Sequence, residues 1–366
     1  MKGLQTLAGE YEEENIYNMD ESGLFWRMMP SRGLSAQSQP GLKKDKSRIS
    51  VVFATNATGT DRIPVWFIGK AKTPRALRNV SVSTVGGQWR WNKKAWMNTI
   101  IMVEWLQSFY QHIRATRQVL LIIDNFRAHY TAVEQHPPPP NIRICWLPVN
   151  SISRFQPLDQ GIIQNCKTHY RRYWLQYILD SFESNLDPQS SMNLHLAIRW
   201  ILRSWNNDIT NTTIYNCFRK STLVSSPISL PAPIIPSGVA DLYRRVTEVG
   251  NIHDAMAISN FLNPTDETEA EDGDENTVGE EEILREVIQE HLGLPSTQDD
   301  DEDEQLAQPV YTASDALKAA QVLIGYTESQ ESLSTEYLRV LERLELGIEA
   351  IQQASRVQRT IDSWVM

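Results

Sequence analysis

Nowhere in its 366 residues does the sequence put about 20 uncharged apolar residues in a row, the length that a membrane helix requires. Nor does the opening "MKGLQTLAGEYEEEN" hold the long apolar core of a secretory signal. These two absences predict a cytoplasmic or nuclear protein with no membrane partner. Cysteine is scarce: Cys145, Cys166 and Cys217 are an odd number without CxxC spacing, which speaks against a disulfide framework and a structural zinc site. Among seven histidines no pair has HxxxH spacing, so zinc is disfavoured, and His129 reads as a loop or supporting residue rather than a ligand. No internal repeat is found. What remains is a globular chain, 41% hydrophobic, long enough for one large domain or two ordinary ones.

Acids outnumber bases, for a net charge of -10, but the charges are segregated. Residues 264–304 carry 18 Asp and Glu against one Arg, a net -17, whereas residues 1–263 carry +10 and residues 305–366 carry -3. The main body is basic and suits a polyanionic partner. The acidic stretches "TDETEAEDGDENTVGEEE" and "DDDEDE" read as a solvated, self-repelling linker, which could also shield the basic body when no nucleic acid is bound.

The run "RQVLLIID", residues 117–124, sets five apolar residues before Asp124 and predicts a strand covered on both faces, as in an α/β sheet. In such sheets ligands gather beyond the carboxyl ends of the strands, which is where Asp124 falls, although a lone Asp after a strand more commonly shapes a turn. Other strands are expected at "NIYNM" (15–19, ending on Asp20, with a bend at Gly23), 48–56, 63–69 and 141–148, the first three as an antiparallel meander. Asn98 can cap a helix over 99–114, and further helices are expected at about 158–182, 192–207 and 211–219. The order β-β-β-α-β-α-β-α predicts a ribonuclease-H-like mixed α/β sheet flanked by helices. The expected organisation is an N-terminal extension (1–14), the ribonuclease-H-like domain (15–224), a Pro-rich region with short helices (225–263), an acidic disordered linker (264–310) and a C-terminal helical segment (311–366). In the last, Tyr337, Leu341, Leu344, Ile348 and Ile351 alternate at four and three residues, an amphipathic helix that either packs on the body or self-associates into a homo-oligomer.

Three elements of that layout converge at one sheet edge, and each carries an aspartate there. Asp20 ends the first strand, Asp124 ends the fourth, and Asp159 stands in "FQPLDQGIIQN", where Pro157, Ile162 and Ile163 mark a helix beginning. Three carboxylates brought together raise one another's pKa unless a cation neutralises them. Hard oxygen donors in small number suit Mg²⁺, or Mn²⁺ in its place, and two such ions would serve phosphodiester cleavage and joining. No small-molecule cofactor is expected.

At these residues the chain resembles the DDE-superfamily transposase domain of the pogo and Tigger elements, a domain also found in jerky-like proteins and, in degenerate form, in centromere protein B. The matching segments are "IYNMDESGLFWRMMPSRGL", "KKDKSRISVVFATNATGTDRIPVWFIGKAKTPRAL", "NKKAWMNTIIMVEWL", "VLLIIDNFRAH" and "LPVNSISRFQPLDQGIIQNCKTHYRRYWL", in family order over about residues 10–220. The resemblance implies that Asp20, Asp124 and Asp159 match the family's catalytic, metal-binding acidic triad. The chain departs from the family pattern at "DNFRAH" and "LPVNSISRF". Some 15 residues precede the first strand, so the paired helix-turn-helix domains that the resemblance would place ahead of it are expected to be missing.

Basic residues supply the expected DNA contacts. Lys43, Lys44, Lys46 and Arg48 lie between two strands, Lys70, Lys72, Arg75 and Arg78 follow the third, and Lys167 and Arg171 are an i,i+4 pair on the helix after Asp159. Trp89, Trp91 and Trp96 read first as core and second as stacking platforms. The expectation is a nuclear, DNA-binding, metal-dependent DDE endonuclease derived from a transposase. The alternative is an inactive nucleic-acid-binding remnant in which the triad survives as inheritance.

Overall fold

The computed structural model describes residues 2–31, 47–78, 80–148, 155–224, 238–267, 311–328 and 335–362. The chain divides into two compact units, Met1–Leu306 and Ala307–Met366. In the first, α1 (Lys2–Ala8) precedes the strands β1 (Ile16–Phe25), β2 (Arg48–Asn56), β3 (Val65–Gly69) and β4 (Gly87–Trp91). Then come α2 (Thr99–His112), β5 (Val119–Ile123), α3 (Arg127–Gln135), β6 (Ile142–Trp146) and the 22-residue α4 (Ile162–Glu183). They are followed by α5 (Pro188–Ser191), α6 (Leu194–Arg203), α7 (Asn211–Lys220), α8 (Val239–Val249) and α9 (Ile258–Leu262).

The strands form one mixed sheet in the order β4-β3-β2-β1-β5-β6. β2 runs antiparallel to both β1 and β3, while β5 is parallel to β1 and to β6, and β4 is parallel to β3. This is the ribonuclease-H-like mixed sheet that the element order predicts, with β4 added at one edge. β4 has no sequence signal of its own: "GQWRW" does not alternate, and apart from Gly87 it is only half-buried.

Side chains from alternate positions enter two cores, one on each sheet face. Val119, Leu121 and Ile123 join Tyr17, Met19, Trp105 and Phe109 under α2 and α3, whereas Leu120 and Ile122 join Ile16, Leu24, Tyr170 and Trp174 under α4. All five residues of β5 have no accessible surface, which is why the run contains no polar residue. Each such aliphatic side chain contributes roughly 1.5–3 kcal/mol of burial. Asn98 caps α2 as expected, its side chain accepting from Ile101 N at 2.9 Å.

One expectation about the strands is corrected. β1 does not end at Asp20 with a bend at Gly23 but runs on to Phe25, paired with β2 from Tyr17 to Phe25. The N-terminal extension packs on the body: Leu4 and Ala8 are buried in the core, and Gln5 Nε2 donates to Thr222 Oγ1 at 3.0 Å. The helices at 239–262 also belong to this core through Val239, Val246, Phe261 and Leu262. The Pro-rich residues 225–237 and the acidic residues 268–310 lie outside the described residues. In the second unit, α10 (Ala313–Glu328) packs along α11 (Thr335–Asp362), with Gln321 Nε2 donating to Glu345 Oε1 at 3.0 Å. Of the apolar stripe on α11, Leu341 and Ile348 are half-buried, while Tyr337, Leu344 and Ile351 are exposed. Among the described residues no helix is long and apolar enough to cross a membrane.

Candidate active site

The register between β1 and β5 sets the site. Asn18 faces Ile122 in the parallel pair, and the same register continued by two residues brings Asp20 level with Asp124, just past the end of β5. Asn18 is fully buried and ties the third element to these two: its Nδ2 donates to Ile122 O at 2.9 Å, and its Oδ1 accepts from Leu158 N at 3.0 Å. Each anchor point is one or two residues from an aspartate. Asp159 sits in the short 3-10 turn Leu158–Gln160 that follows Pro157. Gly161 then starts α4 at φ +134°, a conformation that side-chain-bearing residues rarely adopt. Sequence reasoning missed Asn18, and its signal is an amide in an otherwise apolar strand.

Asp20 is 8% exposed. Burial first, and then the charges of Asp159, Glu21 and Asp124, push its carboxyl well above the usual range, while the buried Gln156 amide pulls the other way. Asp159, more open to solvent, is also raised, by the surrounding protein and the charge of Asp124, against a hydrogen bond with Asp20 and the charge of Lys167. Asp124 differs. Burial pulls its carboxyl up, but His129 and the Phe126 N–H outweigh this and hold it below the usual range.

His129 is fully buried in α3, with Nδ1 2.6 Å from Asp124 Oδ1 and Nε2 3.3 Å from Glu21 Oε2. Burial works against the imidazolium, but the two acids prevail and lift it to about 10. A charged histidine therefore braces β1 against β5. Phe126 N also donates to Asp124 Oδ1, at 3.1 Å, so the turn-shaping role and the site role of Asp124 coexist. Both bonds fall on Oδ1, which leaves Oδ2 without a hydrogen bond among the described residues. Glu21 escaped the sequence reading because its partnership depends on a distant helix.

The donor set suits a hard divalent cation in its chemistry: three carboxylates, of which Asp20 and Asp159 are raised by burial and by neighbouring acids and Asp124 is held ionised by His129. Among the described residues no group of three or more His, Cys, Asp or Glu is placed so that it could hold a metal ion as it stands.

The basic residues divide. Lys167 and Arg171 do not lie on the surface and cannot track DNA as placed, which corrects that expectation: they are 2% and 0% exposed and both pair with the buried Glu267. Glu267 also accepts from Phe25 N at 2.8 Å, so it fastens α4 to the far end of β1. An i,i+4 pair of cations on one helix face is legible in sequence, but the face turned inward because an acid 96 residues away meets it. Arg48, at the start of β2, lies over the Trp96 ring at 5.0 Å and donates to Lys94 O at 3.3 Å. Lys43, Lys44 and Lys46 lie outside the described residues. Trp89, Trp91 and Trp96 are half-buried.

With this geometry in hand, similarity to known proteins decides the family. Residues 46–218 match the model of the DDE superfamily endonuclease, a span that includes Asp124 and Asp159 but not Asp20. CENP-B homolog protein 2 of Schizosaccharomyces pombe is 33% identical over 96% of this chain and 68% of its own length. The chain belongs to the transposase-derived DDE superfamily. Within it, ARS-binding protein 1 of the same yeast is 31% identical over 86% of this chain and 60% of its own length. Tigger transposable element-derived protein 4 of Mus musculus is 25% identical over 93% and 66%. The chain thus spans about two thirds of the length of these DDE relatives. Among solved structures, that of the Mos1 strand transfer complex matches at 12% identity and a TM-score of 0.34, over 68% of this chain and 60% of that one.

Proposed function

We propose that this chain is a nuclear, DNA-binding DDE nuclease domain in which Asp20, Asp124 and Asp159 hold Mg²⁺ or Mn²⁺, two ions, for phosphodiester hydrolysis and strand transfer. The observation that carries the reading is geometric: the parallel register of β1 and β5 sets Asp20 level with Asp124, and Asn18 ties the turn that bears Asp159 to both strands. When bound, the cations supply charge neutralisation and Lewis-acid activation at the phosphate. The chain's own residues do the rest. Asp20 and Asp159, which share a hydrogen bond, would hold a cation in their ionised form, and His129 favours the ionised form of Asp124 and orients it by holding its Oδ1. Asn18 fixes the spacing of the three elements. DNA as partner is supported by the +10 charge of residues 1–263 and by the ARS-binding name of one relative.

The test is nicking of supercoiled DNA with Mg²⁺ or Mn²⁺, beside an Asp124→Asn variant. The expected result is cleavage by the wild type and a fall of at least about 100-fold in the variant, roughly 2.7 kcal/mol of barrier. Equal rates, or none in either, would sink the nuclease. A second reading, DNA binding without cleavage, is favoured by the lack, among the described residues, of a group placed to hold a metal ion as it stands, and would be left standing by that result.

A further inference from the structure

Between Asp61 and Glu104 the sequence holds eight basic residues and no acid. Two of the eight are used inside the fold: Arg62 donates to the carbonyls of Trp205 and Ile209, and Arg90 pairs with Glu104. The other six, Lys70, Lys72, Arg75, Arg78, Lys93 and Lys94, are exposed. They fall in two loops, one after β3 and one after β4.

The second loop is built to hold its shape. Asn92 Oδ1 accepts from Lys94 N at 3.1 Å and from Trp96 N at 3.2 Å, and its Nδ2 donates back to Trp96 O. Ser50 Oγ donates to Ala95 O at 2.7 Å, and Arg48 holds Lys94 O. Lys93 and Lys94 therefore project from a fixed hairpin-like tip rather than from a loose loop. The loops meet where Lys72 Nζ lies 5.7 Å over the Trp91 ring.

Strand direction then decides where this surface lies. β1, β3, β4 and β5 all run the same way, since β2 is antiparallel to both of its neighbours and β4 and β5 are parallel to theirs. The loops after β3 and β4 consequently emerge at the same sheet edge as Asp124. In the strand order, β4 is four places from β5, about 19 Å at roughly 4.8 Å per strand, and the register carries the end of β4 four residues past the level of Asp20, about 13 Å at roughly 3.3 Å per residue. The loop after β4 thus starts about 23 Å from the triad, which at about 3.4 Å rise per base pair is some seven base pairs of duplex.

We propose that the loops after β3 and β4, led by Lys70, Lys72, Lys93 and Lys94, form a docking surface for the phosphate backbone of duplex DNA, several base pairs to one side of the triad. The proposal rests on the DNA-binding reading above and names the surface that performs it. It makes no demand on sequence, because phosphate contacts position a duplex without reading its bases.

The test measures affinity for a duplex of arbitrary sequence as a function of salt, for the full chain and for a variant carrying Lys70→Gln, Lys72→Gln, Lys93→Gln and Lys94→Gln. Four lost phosphate contacts should flatten the slope of log affinity against log salt by about 3–4, so that a fourfold rise in salt costs the wild type on the order of 100-fold more affinity than the variant. The melting temperature should stay within about 2 °C, because surface substitutions cost little. A control replaces Arg244 and Arg245, exposed cations on α8 beside Asp241, Glu248 and Glu183, with Gln. An unchanged slope in the four-lysine variant, or an equal loss per charge removed in the control, overturns the docking surface alone. A wild-type chain that binds no duplex overturns the DNA-binding reading with it.

Discussion

Asp20 carries three acidic neighbours in a place that water hardly reaches, and its carboxyl holds a proton to higher pH than an ordinary carboxylate does. A carboxyl whose folded pKa is raised binds its proton more tightly than the unfolded chain does. Stability is therefore lost as pH rises from the ordinary carboxylate range through the raised value. Asp20→Asn removes that titration while keeping the shape. The variant should be more stable than the wild type at pH 7 by about 1–2 kcal/mol, a gain of roughly 3–8 °C in melting temperature. The gain should vanish at about pH 3, where Asp20 is largely protonated in both states. Melting curves of the two proteins at the two pH values check this, and a variant less stable at pH 7 would show that the pocket is not short of positive charge. The same substitution should remove any rise in melting temperature caused by Mn²⁺, since a ligand stabilises only what binds it. A site that destabilises its own apo form is one that a cation can stabilise.

At the scale of the element, β1 shows how a distant contact overrides local preference. Gly23 in "DESGLF" looks like a bend, yet it sits mid-strand between Ser22 and Leu24, both paired with β2. A Cβ at this position would come within 2.1 Å of the Glu267 carbonyl oxygen, so the glycine serves close approach and not a turn. Gly23→Ala should displace the turn at 265–267 and cost about 1–3 kcal/mol, read as a lower urea midpoint. A variant as stable as the wild type would mean that this turn is not seated on β1. What was legible in the sequence follows the same line. β5, the Asn98 cap and the positions of Asp124 and Asp159 depend on local pattern, and all three could be read. The overrun of β1, the edge strand β4, the Asn18 tie and the His129–Glu21 brace depend on partners tens of residues away, and none of them was. Composition also misleads where a charge is buried: Lys167 and Arg171 have the spacing of an exposed basic face, and only their acid partner turns that face inward.

Across the whole molecule, the charge map acquires a boundary that counting alone misplaces. The acidic stretch begins near residue 264, but Glu267 is fully buried and pairs with two buried cations, so the folded body extends at least that far. Glu267 at the head of this stretch is thus structural, and it clamps α4 to the strand that bears Asp20. Removing it would leave Lys167 and Arg171 buried without a counter-charge, which costs about 3–5 kcal/mol because stranded charges in an apolar interior lose their hydration and gain nothing in return. A chain ended after residue 267 should keep the unfolding midpoint of the body. A chain ended after residue 263, only four residues shorter, should melt roughly 6–20 °C lower. Calorimetry of the two, with Glu267→Gln in the full chain as the third sample, separates loss of the carboxylate from loss of the segment. If both shortened chains melt together, the clamp contributes nothing; if Glu267→Gln falls as far as the shorter chain, one side chain accounts for the whole difference.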